Sequence, residues 1–124
     1  MSATQVDIAV IDYIAASTVS SPPVNAQGRQ FHVGMMTTMD ELSDRDDVRV
    51  VALTGSGKCF FFPADLKAKA ERTAASGEAW RHIRHERKCC HSIVECRKSV
   101  IVAINGPALG AGPTLAASCD ILVA

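Results

Sequence analysis

The sequence predicts an α/β fold in which helices pack on a mostly parallel sheet. Short apolar runs typical of buried strands alternate along the chain with longer segments of helical periodicity. Residues that favour turns separate these segments. The 124 residues are 48% hydrophobic, which is enough for one domain with a modest core. The predicted order is strand, helix, strand, helix, strand, helix, strand.

Apolar spacing predicts the first strand and the first helix. Val6, Ile8 and Val10 recur at period two, as on one face of a strand. The next stretch, STVSSPPVNAQG, is predicted to be a loop because it is rich in serine, proline and glycine. From Arg29 to about Leu42, apolar residues at i, i+4, i+8 and i+11 indicate one face of an amphipathic helix. That face carries Phe31, Met35, Met39 and Leu42.

The later elements follow the same reasoning. VRVVALTG is predicted to be a buried strand that stops at Gly55, SVIVAING a second one, and PTLAASCD a short helix. A helix is predicted from Glu78 to Arg97, with an inward face made of Trp80, Ile83, Cys90, Ile93 and Val94. ILVA begins another strand, and the chain stops there, with its edge unpaired. We therefore expect the sequence to be a piece of a longer protein.

Composition excludes several classes of partner. Thirteen basic and thirteen acidic residues balance, so nothing favours nucleic acid or an anionic membrane. No apolar run is long enough to span a bilayer, and the N-terminal MSATQVDIAVID lacks the pattern of a secretory signal. Five cysteines, an odd number without the spacing of a disulfide scaffold, favour reduced thiols in a cytoplasmic protein.

A glycine-rich turn is the first candidate site. AINGPALGAGPTLAASCDI places Gly106, Gly110 and Gly112 between a strand and a helix, and Pro113 is expected at the first helical position. Small residues there let a ligand oxygen approach backbone amides at the start of the helix. A tight connection that binds no ligand explains the spacing equally well.

The segment GKCFFFPADLK is the second candidate site. In the functional interpretation, the Ala64 amide points into a cleft whose apolar wall is formed by Phe61 and Phe62. In the structural interpretation, the three consecutive phenylalanines are an apolar plug beneath a loop.

Two further patterns are weaker. GSGK resembles a phosphate-binding loop, but Ala52 stands where its first glycine belongs and Cys59 where a hydroxyl residue would hold magnesium. His82, His85, Cys89 and Cys96 share helical spacing, yet a structural zinc site usually takes ligands from two separate segments, so no metal is expected. The neighbouring arginines are most simply a solvated face.

Taken in order, the motifs PPVNA, LTG, PADLK and NGPALGAG with a following CDI strand resemble the enoyl-CoA hydratase/isomerase (crotonase) superfamily. The resemblance implies a ClpP/crotonase-like fold of repeated ββα units, with residues 1–124 as the N-terminal portion of the acyl-CoA-binding domain. It implies an acyl-CoA thioester as substrate, with coenzyme A as part of that substrate and no separate cofactor. The family's C-terminal helices, which build homotrimers or hexamers, would be absent.

The resemblance also implies the site residues. The backbone amides of Ala64 and Ala111 would form an oxyanion hole for the thioester carbonyl, in which one such donor contributes about 3–4 kcal/mol to transition-state stabilisation. The remaining residues would lie along the acyl-CoA molecule. They are Val24, Ala26, Phe62, Asp65, Leu66, Lys67 and Gly110.

Departures from the family pattern limit the reaction. Thr114 stands where hydratase members carry a glutamate, and a threonine hydroxyl is a poor general base near neutral pH. Pro63 replaces a usual glycine but leaves the Ala64 amide intact. Hydration is therefore in doubt, and isomerase-type chemistry of a thioester enolate remains open. A non-catalytic acyl-CoA-binding or assembly fragment is the alternative, and a GSGK nucleotide site is a third.

Overall fold

The structure, a computed structural model, describes residues 4–63 and 76–124. Five strands form one sheet in the order β1-β2-β4-β6-β7, and a second, two-stranded sheet pairs β3 with β5. The strands are β1 (Gln5–Ile11), β2 (Ile14–Ser20), β3 (Ala26–Gln27), β4 (Val50–Gly55), β5 (Phe62–Pro63), β6 (Ser99–Ala103) and β7 (Ile121–Val123). The helices are α1 (Arg29–Asp44), α2 (Glu78–Val94) and α3 (Ala111–Ala117).

The larger sheet is mostly parallel, which confirms the predicted α/β class. β2, β4, β6 and β7 pair in parallel, each with its neighbour in that order. β1 is the exception, since it pairs antiparallel with β2. Between the parallel strands the chain crosses through helices, as parallel pairing requires. The strand ends Gly55 and Ala103 therefore lie at the same edge of the sheet.

The predicted loop from Ser17 to Gly28 is wrong in its first four residues and at Ala26–Gln27, which form β3. Ser17–Ser20 belong to β2, which follows β1 through a tight turn at Asp12 and Tyr13, with φ values of 50° and 65°. β2 buries Ala15, Ser17 and Val19 on one face. The strand was not predicted because it is rich in serine and alanine. These small residues do not give the alternating pattern of apolar and polar residues on which the prediction relied.

The first helix confirms its predicted face. Phe31, Met35, Met39 and Leu42 are all buried, and α1 packs against α2 and against β1. Valines and leucines of β4 and β6 complete the core from the sheet side, together with Phe60 and Phe61.

The inward face predicted for α2 is right for Ile93 and partly right for Cys90, and it is wrong for the other three residues. Trp80, Ile83 and Val94 are exposed, whereas Cys89 and Ile93 are buried. The helix carries two apolar faces about 100° apart, one through positions 82, 89 and 93 and one through 80, 83, 90 and 94. Only the first of these faces α1, and periodicity alone did not identify which face would be covered.

The last helix begins two residues earlier than predicted. Ala111, not Pro113, is its first residue, so Pro113 takes the third helical position. A proline is tolerated there because the first N–H groups of a helix have no partner within it. Within the described residues, no helix is both long and apolar enough to cross a membrane.

Candidate functional site

Asn25 fastens the chain before α1 to the loop after β4. Its Nδ2 lies 2.9 Å from the carbonyl oxygen of Ser56 and 3.0 Å from those of Cys59 and Phe60. Its Oδ1 accepts a hydrogen bond from the Ser21 amide at 2.9 Å. Because Asn25 is buried, these bonds form away from water and hold the 56–60 loop in one position.

The same loop is joined to the glycine-rich turn that precedes α3. The Phe60 amide donates to the carbonyl of Pro107 at 3.0 Å, and the Leu109 amide donates to the carbonyl of Phe61 at 3.1 Å. A Cβ on Gly112 would stand 2.5 Å from the Phe61 oxygen, so only glycine fits at this crossing. The turn and the phenylalanine segment therefore form one rigid unit.

At the centre of this unit lies the amide of Ala111. Gly110 precedes it with φ of +61°, a conformation that favours glycine, and a side chain at 110 would come within 3.0 Å of the Pro63 ring. Ala111 is the first residue of α3 and is half-buried. Within residues 4–63 and 76–124, its N–H donates no hydrogen bond. A donor is thus held in place with no protein acceptor in that part of the chain.

The structure brings several of the predicted site residues together. Ala26 pairs with Phe62 in the β3–β5 ladder, and Pro63, next along β5, adjoins Gly110. Val24 is half-buried beside Asn25. Four predicted positions lie outside the described residues. They are Ala64, Asp65, Leu66 and Lys67.

The predicted apolar wall is wrong for Phe61 and stays a prediction for Phe62. Phe62 is half-buried and remains available to line a cleft. Phe61 has no exposed surface, and its ring meets Phe31 edge-on at 4.9 Å between centroids. The structural interpretation therefore holds for Phe61, because its aromatic ring belongs to the core and only its backbone reaches the turn.

Thr114 lies one helical turn after Ala111 and opens onto a groove between α3 and α2. The groove encloses about 200 Å³. Its lining mixes polar, charged and apolar side chains. They are Glu86, Arg87, Cys90, His91, Val94 and Thr114.

The thiols near this groove are held protonated. All five cysteines are free. Burial raises the pKa of Cys89 and of Cys119 to about 12. Burial also raises the pKa of Cys90, and a hydrogen bond with Ser118 opposes that rise only in part. A neutral thiol is a poor nucleophile, so Cys90 contributes polarisable apolar surface to the groove.

The two weaker patterns find little structural support. After GSGK the chain continues through Phe60 and Phe61 into β5, so no helix begins where a phosphate loop requires one. In the portion of the chain that is described, no three histidine, cysteine or acidic side chains are grouped as metal ligands. His82 instead stacks obliquely near His32, with 5.4 Å between ring centroids.

Comparison with known proteins decides the family. The family model for enoyl-CoA hydratase/isomerase matches residues 11–124. The chain belongs to the enoyl-CoA hydratase/isomerase family. A probable enoyl-CoA hydratase, EchA17 of Mycobacterium avium, is 37% identical over 107 residues, which is 86% of this chain and 41% of that protein.

Solved structures of this family share the fold. DspI of Pseudomonas aeruginosa matches with a TM-score of 0.86 and 29% identity, over 94% of this chain and 44% of that one. An enoyl-CoA hydratase of Bacillus anthracis matches with a TM-score of 0.85 and 25% identity, over 98% and 46%. The predicted crotonase-like fold is therefore confirmed, and the chain spans less than half the length of these family members.

Two residues of this family member escaped the sequence analysis. Asn25 lies inside the PPVNA motif, between two residues assigned to the substrate, yet its role as a clamp was not predicted. An asparagine in a turn is a recognisable signal for hydrogen bonding between side chain and backbone. The structure gives Asn25 a positive φ of 55°, which asparagine tolerates. Glu86 was passed over because a single carboxylate on a charged helix carries no pattern of its own.

Proposed function

We propose that the protein is an acyl-CoA enzyme that stabilises a thioester enolate with backbone N–H groups. The observation that carries this proposal is the Ala111 amide, which is fixed between Gly110 and Gly112 and has no acceptor among the described residues. As an α-proton leaves a thioester, negative charge moves onto the carbonyl oxygen. A donor already in position stabilises that charge without reorganising.

A second donor is proposed at Ala64. This residue follows Pro63 in the sequence, and Pro63 adjoins Gly110, the residue before Ala111. The resemblance to the family supports the pairing of these two amides. It also supports the acyl-CoA contacts proposed for Val24, Ala26 and Phe62, and a homotrimer or hexamer for the full-length protein.

The reaction proposed is isomerisation or a related enolate reaction, in preference to hydration. Hydration needs a base to activate water, and Thr114 offers a hydroxyl at the position of the usual glutamate. An enolate reaction needs the oxyanion donors and one proton-transfer group.

A non-catalytic acyl-CoA-binding module is the second candidate. Thr114 favours it, because a binding module keeps the amide donors and needs no base. A binding module should bind a thioester as tightly as an enzyme would, but it should catalyse no reaction of that thioester.

Binding is tested by calorimetry with a short enoyl-CoA, with ATP as the competing ligand. The matched variants are Ala111→Pro, which removes one N–H, and Ala111→Ser, which keeps it. Proline suits the first position of a helix, so α3 should persist in the Ala111→Pro variant. The enoyl-CoA is expected to bind and ATP is not. Binding of ATP in place of the thioester would contradict the proposal.

Chemistry is tested by following the absorbance of the conjugated thioester. Loss of one oxyanion donor costs about 100-fold to 1000-fold in rate. Ala111→Pro is therefore expected to slow any turnover by that factor, and Ala111→Ser by much less. If the unmodified protein binds the thioester and yet converts it no faster than buffer does, that result would contradict the enzyme and leave a binding module as the function.

A further inference from the structure

The contact between α2 and α3 forms a groove that is lined by both a carboxylate and Thr114. Cys90 of α2 lies beside Ser118 of α3. One turn earlier on each helix stand Glu86 and Thr114, and both line the 200 Å³ groove. One further turn back on α3 is Ala111, whose amide is the proposed oxyanion donor. Glu86 therefore shares one groove with Thr114, which lies one helical turn after the proposed oxyanion donor.

Glu86 is held in a partly enclosed position. Its side chain is 28% exposed, and the Nε2 of His82 lies 3.9 Å from its Oε2. The two residues are four apart on α2, so they lie on the same face of the helix. The Glu86 carboxylate is thus partly exposed and accessible to a ligand.

The other polar groups of the groove are poorer proton acceptors. The Arg87 guanidinium donates hydrogen bonds and accepts none. Cys90 is a neutral thiol, as its raised pKa implies. The Nε2 of His91 lies 3.0 Å from Glu95 beyond the end of α2, which engages that ring nitrogen away from the groove. Glu86 is the group whose chemistry suits proton transfer.

We propose that Glu86 is the proton-transfer residue of this site, replacing from α2 the carboxylate that α3 lacks at Thr114. Its carboxylate takes a proton from the carbon next to the thioester carbonyl. The C–H bond breaks, an O–H bond forms on Glu86, and the electron pair moves onto the carbonyl oxygen beside the Ala111 amide. Returning the proton to the same carbon, or to the γ-carbon of an unsaturated chain, completes exchange or isomerisation. The proposal rests on the proposed acyl-CoA function.

The test is α-proton exchange of a saturated acyl-CoA in D₂O, followed by NMR, with the unmodified chain and three variants. Glu86→Gln preserves shape and removes the base. Glu86→Asp keeps a carboxylate on a shorter side chain. Glu41→Gln is the matched control, because Glu41 is an exposed carboxylate on α1 and does not line the groove. Calorimetry with the same acyl-CoA gives the dissociation constant of each variant.

We expect the unmodified chain to exchange the α-proton above the buffer rate. Glu86→Gln should lower the exchange rate about 100-fold or more at an unchanged dissociation constant, a factor typical of general-base loss. Glu86→Asp should recover part of the rate, and Glu41→Gln should match the unmodified chain. If the Glu86→Gln variant is poorly folded, the exchange rate of the Glu86→Asp variant tests the proposal instead.

The failures are distinguishable. Absence of acyl-CoA binding by the unmodified chain would overturn the proposed function and this assignment together. Binding without exchange, or exchange that survives Glu86→Gln, would overturn the assignment of Glu86 alone.

Discussion

The main-chain oxygen of Phe61 lies 2.5 Å from the position that a Cβ on Gly112 would occupy. The same oxygen accepts the Leu109 amide at 3.1 Å, so the phenylalanine segment touches the turn before α3 and the first turn of α3 itself. This crossing is closed to any side chain. It fixes the position of the Ala111 amide, which stands between Leu109 and Gly112.

Gly112→Ala should destabilise the protein by about 1–3 kcal/mol, the cost of overpacking a tight contact. The matched control is Gly34→Ala in α1, where a Cβ would meet Thr4 at an ordinary 3.9 Å. Alanine there should raise stability by up to about 1 kcal/mol through helix propensity. Urea unfolding midpoints give both values. Equal midpoints for the two variants would contradict the crossing described here.

Gly110→Ala should weaken acyl-CoA binding by about tenfold, or about 1.4 kcal/mol. The new Cβ would press on the Pro63 ring and displace the Ala111 amide. Gly57→Ala is the control, since its φ is also positive, at +74°, but nothing lies within 4 Å of the added atom. Both variants should lose at least about 1 kcal/mol of stability to backbone strain. If calorimetry finds the same affinity for acyl-CoA in both variants, the glycine-rich turn is not part of the binding site.

Asn25→Asp should cost about 3 kcal/mol, because a carboxylate oxygen would replace the donor that faces three carbonyl oxygens. Asparagine and aspartate both tolerate positive φ, so the backbone strain is unchanged. Asn105→Asp is the matched control: its Nδ2 donates to the Gly57 carbonyl at 3.0 Å in an exposed setting, where water replaces the lost bond. Chemical denaturation of the two variants should separate them by at least about 1 kcal/mol.

The free energy of unfolding should fall as the pH rises from about 9 toward about 12. The pKa of Cys89 and of Cys119 is raised to about 12 in the folded state, above the ordinary value of 9.0. The unfolded chain therefore loses these protons first, and each thiol lowers stability by up to about 1.4 kcal/mol per pH unit in that window. Below pH 9 the stabilisation is fully present.

Urea titrations between pH 8 and 11 measure this slope. Lysines and tyrosine also titrate at high pH, so Cys89→Ala and Cys119→Ala serve as references. Each replacement should flatten the dependence, and an unchanged slope in both would show that the buried thiols do not cause it.

Regular apolar spacing made much of the fold predictable. The face of α1 and the strand ending at Gly55 were confirmed because one side of each element is covered continuously by the core. β2 was missed because serine and alanine fill positions that the sheet covers anyway. The inward face of α2 was misassigned because two faces carried apolar residues and only packing against α1 distinguished them.

The candidate site was likewise predictable from the sequence only in part. The glycine-rich turn was located from its residues alone, and Gly110 and Gly112 do stand where a side chain would be obstructed. The sequence did not decide whether Phe61 lines a cleft or belongs to the core, since an aromatic residue suits both positions equally well. The structure places its ring in the core. The clamp by Asn25 depends on carbonyl groups more than thirty residues away, which local sequence does not reveal.

The sequence by itself determined the α/β class, the family motifs and the glycines that admit a close backbone approach, because these depend on local chain geometry and residue size. Only the tertiary structure decided that the Phe61 carbonyl closes on Gly112, that Asn25 secures the adjoining loop, and that Glu86 and Thr114 line one groove. Those relationships join segments distant in the chain, and they follow from how the helices and sheet pack together, which no single segment encodes.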